Sequence, residues 1–160
     1  LYMSKDLHEA GDGQWLTSYP QQGEAMTLGE GRVYAPEADD LVIFTYGNGV
    51  PMSLRAAREI EKKLGWKVRT IDLRWLVPLN EPFIAQQAKS AKRILVVDEG
   101  RHSAGVGEGV ITAIVEGGQG SKPLRRVVGA DTYTPLAGAA FLVLPGDADI
   151  VAAAEALHSR

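Results

Sequence analysis

The residues with the clearest chemical potential stand together at the end of an apolar run. Asp98, Glu99, Arg101 and His102 directly follow Ile94–Val97. In α/β folds, ligands bind at the carboxyl ends of strands, and a His beside two carboxylates could act as an acid or a base. The cluster has no nucleophile or metal partner beside it, so a salt-bridged loop is the favoured interpretation.

Other arrangements that support catalysis are missing from the sequence. His8 and His158 lie in terminal segments, and three scattered histidines without cysteine give no metal-ligand spacing. The sequence contains no Ser/His/Asp order, no Walker loop and no interleaved basic and aromatic residues. On residue chemistry alone, the chain lacks a complete active site.

A second charged pair ends another apolar run. Asp72 and Arg74 flank Leu73 and share one side of an extended strand. They could bind a substrate carboxylate or a partner, but a local ion pair that fixes the strand exit is favoured. The segment from Asp131 to Pro135 is similarly interpreted as a turn whose Asp side chain bonds the backbone two residues on.

One glycine-rich loop lies where a dinucleotide would bind. Gly105-Val106-Gly107 follows a predicted strand and precedes a predicted helix. The dinucleotide fingerprint needs a small residue three positions after the second glycine, and that position holds Val110. A structural turn is therefore favoured, and a phosphate cradle at the helix N-terminus stays open as the alternative.

Alternating strands and helices must position these residues. Strands are predicted over Leu41–Tyr46, Val68–Leu73, Arg93–Asp98 and Arg126–Ala130, with helices over Pro51–Leu64, Asn80–Ala91, Gly109–Glu116 and Ile150–Leu157. This order predicts a three-layer α/β/α sandwich with a mostly parallel sheet. The short Arg32–Ala35 segment could add an antiparallel edge.

The chain is predicted to contain an arm and one domain. Residues 1–30 have little apolar periodicity and many turn-forming residues, which indicates a linker or wrapping arm, and residues 31–160 form the domain. The first residue is Leu1 and no signal-peptide pattern follows it, so we expect a fragment of a longer, cytoplasmic protein.

The composition excludes several partners. The formal net charge is -3, so a general attraction to nucleic acid or to anionic membranes is not expected. The absence of cysteine excludes disulfides and Cys-ligated metals. We expect no apolar run that approaches the ~20 residues needed to span a bilayer.

Six short motifs resemble one family. They are Thr45-Tyr46-Gly47, Asp72-Leu73-Arg74 with Pro78-Leu79-Asn80, Val96-Val97-Asp98-Glu99, Gly105 with Glu108, Arg126-Val127-Val128-Gly129-Ala130-Asp131, and Pro135. From about Gly29 to Leu157 the chain resembles the transketolase C-terminal domain. The order and spacing are similar to the β-subunit part of thiamine-diphosphate-dependent 2-oxo acid dehydrogenases of the pyruvate and branched-chain types.

The resemblance implies a fold and a role. It implies a five-stranded mixed sheet with one antiparallel strand. In this family thiamine diphosphate and magnesium lie between the pyrophosphate-binding and pyrimidine-binding domains, which also carry the catalytic Glu and His residues. The C-terminal domain contributes to subunit assembly and to docking of the lipoyl acyltransferase core. The resemblance therefore implies an isolated chain that is inactive and binds no cofactor.

Two single residues and one pair of residues bear on which members of the family the chain resembles. Ala104 stands where the family often has a glycine, and Ser121 stands at about the position of an acidic residue that anchors the acyltransferase in some members. Arg101-His102 is similar to members in which both catalytic subunits are fused in one chain.

The predicted function is assembly or partner docking within a 2-oxo acid dehydrogenase. We expect a homodimer formed through the apolar Phe141–Leu144 patch, which contains Leu142, or through the charged Asp98–His102 loop. Partners would be the thiamine-binding domains or α-subunit and the acyltransferase core. The alternatives are the same domain of a transketolase or deoxyxylulose-phosphate synthase, and a standalone nucleotide-binding module that uses Gly105–Gly109.

Overall fold

A five-stranded mixed sheet forms the centre of the molecule. The computed structural model describes residues 5–23 and 25–158. The strands are β1 (Arg32–Tyr34), β2 (Leu41–Thr45), β3 (Val68–Asp72), β4 (Ile94–Arg101) and β5 (Leu124–Gly129). Their order in the sheet is β1-β3-β2-β4-β5, and only β1 runs antiparallel to its neighbour. The predicted fold class is confirmed.

Four helices cover the sheet. They are α1 (Gly49–Leu64), α2 (Glu81–Lys89), α3 (Val106–Ile114) and α4 (Asp147–His158). A π-helical turn covers Val115–Gln119, and a 3-10 helix covers Ala137–Leu142. Helices α1 and α4 pack on one face of the sheet, and α2 and α3 pack on the other.

The alternation of side chains along β2 explains the two apolar layers. Leu41 and Ile43 contact the α1 and α4 side, whereas Val42 and Phe44 contact the α2 and α3 side. All five β2 residues are buried. A strand buried on both faces favours a run of apolar residues, here Leu41–Phe44, which is why no polar alternation appears in its sequence.

Local signals fix the helix ends. Asn80 accepts a hydrogen bond from the Phe83 N–H at the start of α2, 3.1 Å away. Gly65 ends α1 in the left-handed conformation and donates its N–H to the Glu61 carbonyl. Lys122 donates its ammonium to the carbonyls of Ala88 and Lys89 at the end of α2, where a cation favours the helix dipole.

Several predicted boundaries are wrong by a few residues. Strand β4 extends to Arg101 because that residue still pairs with Gly129 after a register shift. Helix α3 begins at Val106, so Gly107 and Gly109 lie inside the helix. Of the stripe predicted for α1, which is Leu54, Ala57, Ile60 and Leu64, Ile60 is buried and the other three are half-buried. Met52 and Ala56 complete the buried face.

The described part of the arm has neither helix nor strand before β1. Two carboxylates nevertheless organise its start. Asp12 accepts the N–H groups of Leu7, His8, Glu9 and Gln14, and Asp6 accepts those of Gly11 and Gly13. Desolvation raises the pKa of Asp12, but the four backbone N–H bonds outweigh it and hold that pKa well below its usual range. The sequence analysis did not predict this hydrogen-bonded loop. Residues 1–4 and 24 of the arm lie outside the described residues.

The two sheet edges differ. Strand β1 has three residues, and the Arg32 guanidinium lies 4.8 Å from the centre of the Tyr34 ring. Pro36 lies two residues after the end of the strand. Strand β5 has six residues and no strand beyond it among the described residues. The long edge is therefore the β5 edge.

One stretch contradicts the expectation about apolar runs. By length and composition, Ala137–His158 is apolar enough to cross a membrane, with a mean hydropathy of 1.5. The stretch consists of two helices, the 3-10 helix and α4, separated by Val143–Gly146. Helix α4 buries Ile150, Val151, Ala154 and Leu157 in the core layer, so packing against the sheet accounts for its apolar residues.

Candidate functional site

The chain changes direction in the sheet between β2 and β4. From β2 the chain continues to β3 on one side, and from β4 it continues to β5 on the other. The carboxyl ends of two such strands form the crevice where open α/β sheets bind ligands. Tyr46 and Asn48 follow β2, and Asp98 and Glu99 belong to β4, so these four residues define the candidate site.

The Asp98 carboxylate fills this crevice. Asp98 is 1% exposed. One of its oxygens accepts the Tyr46 hydroxyl at 2.6 Å and the Gly100 N–H at 2.7 Å, and the other accepts the Gly107 N–H at 2.8 Å. A buried carboxylate needs such donors to replace water. The side chain thereby links β2, β4 and the first turn of α3.

The glycines of this region make room for that carboxylate. A Cβ atom on Gly100 or Gly105 would lie 2.8 Å from an Asp98 oxygen, and one on Gly107 would lie 3.2 Å away. The first two distances are shorter than real Cβ contacts allow. The Gly105-Val106-Gly107 loop is therefore a structural turn around Asp98, as favoured from the sequence. The protein's own carboxylate occupies the helix N-terminus where a phosphate would bind.

Tyr46 stays protonated in this setting. Burial, the hydrogen bond to Asp98 and the charges of Asp98 and Glu99 all raise the pKa of the Tyr46 phenol well above its usual range. The phenol is thus a permanent hydrogen-bond donor at neutral pH. It links two strands and is not poised to exchange a proton.

The charged residues of the Asp98–His102 cluster do not assemble. Asp98 points inward, whereas Arg101 and His102 are exposed. Glu99 accepts the Asn48 side-chain amide at 2.8 Å. No ion pair joins Asp98, Glu99, Arg101 and His102 in the part of the chain that the structure describes. The salt-bridged interpretation is therefore wrong, because neutral donors hold these carboxylates.

Asp131 also differs from its prediction. Its two oxygens accept the Ser103 N–H at 2.8 Å and the Ser103 hydroxyl at 2.6 Å. These bonds lower the pKa of the Asp131 carboxyl, the hydroxyl bond most strongly. The side chain bonds the loop after β4 and not its own turn, because the ends of β4 and β5 lie side by side.

The Asp72–Arg74 pair has the predicted role. The Arg74 N–H donates to Asp72 at 3.2 Å, and the guanidinium lies 3.4 Å from the other carboxylate oxygen. Arg74 takes a positive φ of 56°, and its guanidinium also contacts the Met26 sulfur. The pair fixes the exit of β3 and joins it to the arm.

The remaining interface candidates lie apart. Ser121 is exposed in the loop before β5, at the opposite end of the sheet from Asp98. Leu142 lies on the 3-10 helix and is 85% exposed. Tyr133, Leu136 and Phe141 are also strongly exposed, so we name Tyr133–Leu142 the apolar segment.

Sequence reasoning missed the donors of the site. Tyr46, Asn48 and Ser103 each satisfy a carboxylate that the sequence had singled out. The available signal was position, because Tyr46 and Asp98 lie at the carboxyl-end side of two buried apolar runs that the sequence predicts as strands. Among the described residues, no group of three His, Cys, Asp or Glu side chains could hold a metal ion.

Comparison with known proteins identifies the family. A model of the family described as "Transketolase, C-terminal domain" matches residues 29–146. The chain belongs to this family.

Relatives of this domain include subunits of a dehydrogenase. The chain is 35% identical over 134 residues to the pyruvate dehydrogenase E1 component subunit beta of Staphylococcus aureus, which covers 82% of the chain and 41% of the relative. The Staphylococcus epidermidis subunit of the same name is 33% identical over 139 residues, covering 86% of the chain and 42% of the relative. The chain thus spans less than half the length of these relatives.

Solved structures support the fold. A split-gene transketolase, described as an inactive β4 tetramer, superposes with a TM-score of 0.73 at 20% identity, covering 90% of this chain and 46% of that one. A 2-oxoglutarate:ferredoxin oxidoreductase from Magnetococcus marinus gives a TM-score of 0.56 at 14% identity, covering 80% and 19%. At these identities the likeness concerns the fold alone.

Proposed function

We propose that this chain is the C-terminal assembly and partner-docking domain of a thiamine-diphosphate-dependent 2-oxo acid dehydrogenase, of the pyruvate or branched-chain type. The observation that carries the proposal is the 35% identity over 134 residues to a pyruvate dehydrogenase E1 β subunit. The proposal covers a β subunit or the equivalent part of a fused chain, in a cytoplasmic enzyme.

The filled crevice supports a role without catalysis. Asp98 uses both oxygens on Tyr46 and two backbone N–H groups, so this carboxylate is not free to act on a substrate. We propose that the catalytic residues lie in other domains or subunits, and that this chain alone is inactive.

The residues of this chain do not fit a diphosphate at α3. The Gly107 N–H at that helix N-terminus already donates to Asp98. Thiamine diphosphate supplies carbanion chemistry when it is bound, and we propose that it binds with magnesium elsewhere in the whole enzyme. The same occupied N-terminus argues against the nucleotide-binding alternative, which needs those N–H groups.

A transketolase-type parent is the second candidate. The split-gene transketolase shares the fold with a TM-score of 0.73, and the family model is named for transketolase. The domain would keep its assembly role in either parent. The reaction of the whole protein distinguishes the two.

The proposed partners follow from the exposed surfaces. We propose that two copies associate through the Phe141–Leu144 patch, which the apolar segment extends, or through the charged Asp98–His102 loop. The thiamine-binding domains or α-subunit are also proposed to contact this domain. Docking of a lipoyl acyltransferase core is part of the proposal, but Ser121 is neutral and exposed, so the core would use other residues.

Calorimetry and activity assays test the proposal. Titration of the chain with thiamine diphosphate and magnesium, and separately with NAD, should give no binding; a micromolar Kd for either ligand contradicts it. The longest reading frame that contains this sequence should then be assayed for 2-oxo acid decarboxylation and for transfer of two-carbon ketol units. Ketol transfer without 2-oxo acid decarboxylation favours the transketolase candidate.

A further inference from the structure

Strand β5 presents an open edge of backbone donors and acceptors. The Ile94 N–H donates to the Pro123 carbonyl at 2.9 Å, and Ile94 pairs with Leu124. In a parallel ladder of this register, residues 125 and 127 bond β4, so Leu124, Arg126 and Val128 turn their N–H and C=O groups away from it. Consistently, the Ala130 N–H faces outward and donates to the Val143 carbonyl at 2.9 Å.

The open edge has a defined length. The Val143 carbonyl closes it at Ala130, and the strand begins at Leu124. The edge is therefore the six residues of β5, with Leu124, Arg126 and Val128 as its outward-facing positions. An extended segment of about five residues fits that length, at ~3.3 Å per residue.

A groove of about 680 Å³ lies beside this edge. Strand β5 forms one wall, residues 141–145 form the second, and α4 forms the third through Asp149, Ala152 and Ala153. Alternate side chains of an added strand point toward the two faces of the sheet. The small alanines leave space for those on the α4 side.

The charges of the edge are unbalanced. Arg125 forms no ion pair with a described residue, and its buried Nε has no hydrogen-bond partner. Arg126 lies 3.4 Å from Glu108, but the buried Nη1 makes no hydrogen bond. Asp149, the acid lining the groove, already accepts the Gly146 N–H. Buried donors without acceptors are rare and costly in native proteins.

We propose that the β5 edge binds an extended acidic segment of a partner protein as a sixth strand. Backbone hydrogen bonds to Leu124, Arg126 and Val128 supply the affinity, as in other β-augmentation complexes. Carboxylates on one face of the partner strand approach Arg125, which forms no ion pair with a described residue. The outward amides and the unpaired Arg125 guanidinium thus select the same kind of occupant.

Charge disfavours a second copy of this chain at the edge. A two-fold contact pairs β5 with itself in antiparallel orientation. Such pairing brings Arg125 and Arg126 of one copy close to those of the other, and like charges across strands are destabilising. An acidic segment meets no such repulsion.

The inference rests on the proposed role of this domain in associating with other chains. Association through the apolar segment and binding of a partner segment at the β5 edge can fail separately. Sedimentation of the chain alone tests association through the apolar segment, whereas a peptide titration tests the β5 edge.

The experiment uses two labelled peptides, acetyl-Val-Glu-Val-Glu-Val-amide and its lysine counterpart acetyl-Val-Lys-Val-Lys-Val-amide. Fluorescence anisotropy at low salt measures their binding to the wild type and to three variants. Arg125→Gln removes the unpaired charge, and Val128→Pro removes an outward N–H. Arg58→Gln, an exposed cation on α1, is the matched control.

We expect the glutamate peptide to bind and the lysine peptide not to bind. Arg125→Gln should weaken binding about five-fold, as expected for a partly exposed ion pair. Val128→Pro should abolish binding, and Arg58→Gln should leave it unchanged. If Val128→Pro does not fold, NMR of the wild type replaces it, because the amides of Leu124, Arg126 and Val128 should shift most on titration.

Several results overturn the proposal. They are no binding of the glutamate peptide at millimolar concentration, equal binding of the lysine peptide, and equal binding by Arg125→Gln and the wild type. Protection of the β5 amides that grows with protein concentration in the absence of peptide also overturns it, because a second copy then holds the edge.

Discussion

At the scale of single residues, the Tyr46–Asp98 hydrogen bond is the contact on which the structure of the candidate site depends most. It joins two neighbouring strands through a buried carboxylate whose other donors are two backbone N–H groups. Hydrogen bonds to charged groups contribute about 1.5–3 kcal/mol each. Together with the Asn48–Glu99 hydrogen bond, this contact keeps the ends of β2 and β4 together.

Removing the Tyr46 hydroxyl should therefore destabilise the fold. We expect Tyr46→Phe to lower the free energy of unfolding by about 2 kcal/mol, because one buried Asp98 oxygen loses a donor. Urea unfolding followed by circular dichroism measures the change. Tyr133→Phe is the matched control, because Tyr133 is 92% exposed; equal stability of both variants contradicts the assigned role.

The raised pKa of Tyr46 predicts a specific sensitivity to alkali. A group whose pKa is higher in the folded than in the unfolded chain contributes its stabilisation below the unfolded value, and that stabilisation is lost as the pH rises. The loss should begin near pH ~10, the ordinary value for tyrosine. Unfolding free energy measured at rising pH should fall more steeply for the wild type than for Tyr46→Phe. Parallel curves for the two proteins would falsify the raised pKa.

At the scale of elements, the first residue of α1 packs closely against the last residue of β2. A Cβ atom on Gly49 would overlap the Thr45 hydroxyl, and Thr45 is 1% exposed. We expect Gly49→Ala to destabilise the protein by about 2 kcal/mol, because overpacking outweighs the better helix propensity of alanine. Thermal melting tests this against Gly138→Ala, whose Cβ would meet nothing within 4 Å. A neutral Gly49→Ala variant refutes the steric argument.

The arm should be the first part of the chain that a protease cleaves. Described residues between Leu16 and Leu28 are exposed without exception, and exposed irregular chain is the preferred site of nicking. Protease Glu-C should first cut between residues 9 and 30 and leave a folded domain from about Gly31. Mass spectrometry identifies the cuts, and a first cut after Glu81 or Glu108 speaks against a separate arm.

The sequence predicted the elements well and their side-chain partners poorly. Strand β2 and the end of α1 at Leu64 depend on local signals, and both were predicted. The partners of Asp98 and Asp131 could not be predicted, because a hydrogen bond between residues 52 positions apart depends on strand order. The folded start of the arm was missed for a related reason, since backbone N–H groups that converge on Asp12 leave no apolar pattern.

At the scale of the whole molecule, the apolar segment is the surface through which we propose assembly. Leu136, Phe141 and Leu142 are each more than four-fifths exposed, at 90%, 83% and 85%. An exposed apolar cluster of this kind often marks an interaction site. Because Leu142 is exposed and is not part of the core, its side chain can contribute to association without contributing to folding.

Leu142→Asp should therefore change association without changing folding. We expect the wild type to dimerise at high micromolar concentration, and the variant to stay monomeric with an unchanged Tm. Sedimentation paired with thermal melting measures both quantities. Val77→Asp is the control, because Val77 is 84% exposed but lies outside the segment. A monomeric wild type defeats the proposed dimer, and an unfolded variant contradicts the exposed position of Leu142.

The unequal edges of the sheet limit what strand addition can build. The β1 edge is a strand of three residues with a guanidinium over a tyrosine ring and a proline close after it, whereas the β5 edge is a strand of six residues. In the language of polymer chemistry, the domain is a monomer with a single reactive end. Such a monomer can be capped once but cannot propagate, because each addition consumes the only growing end and supplies no new one.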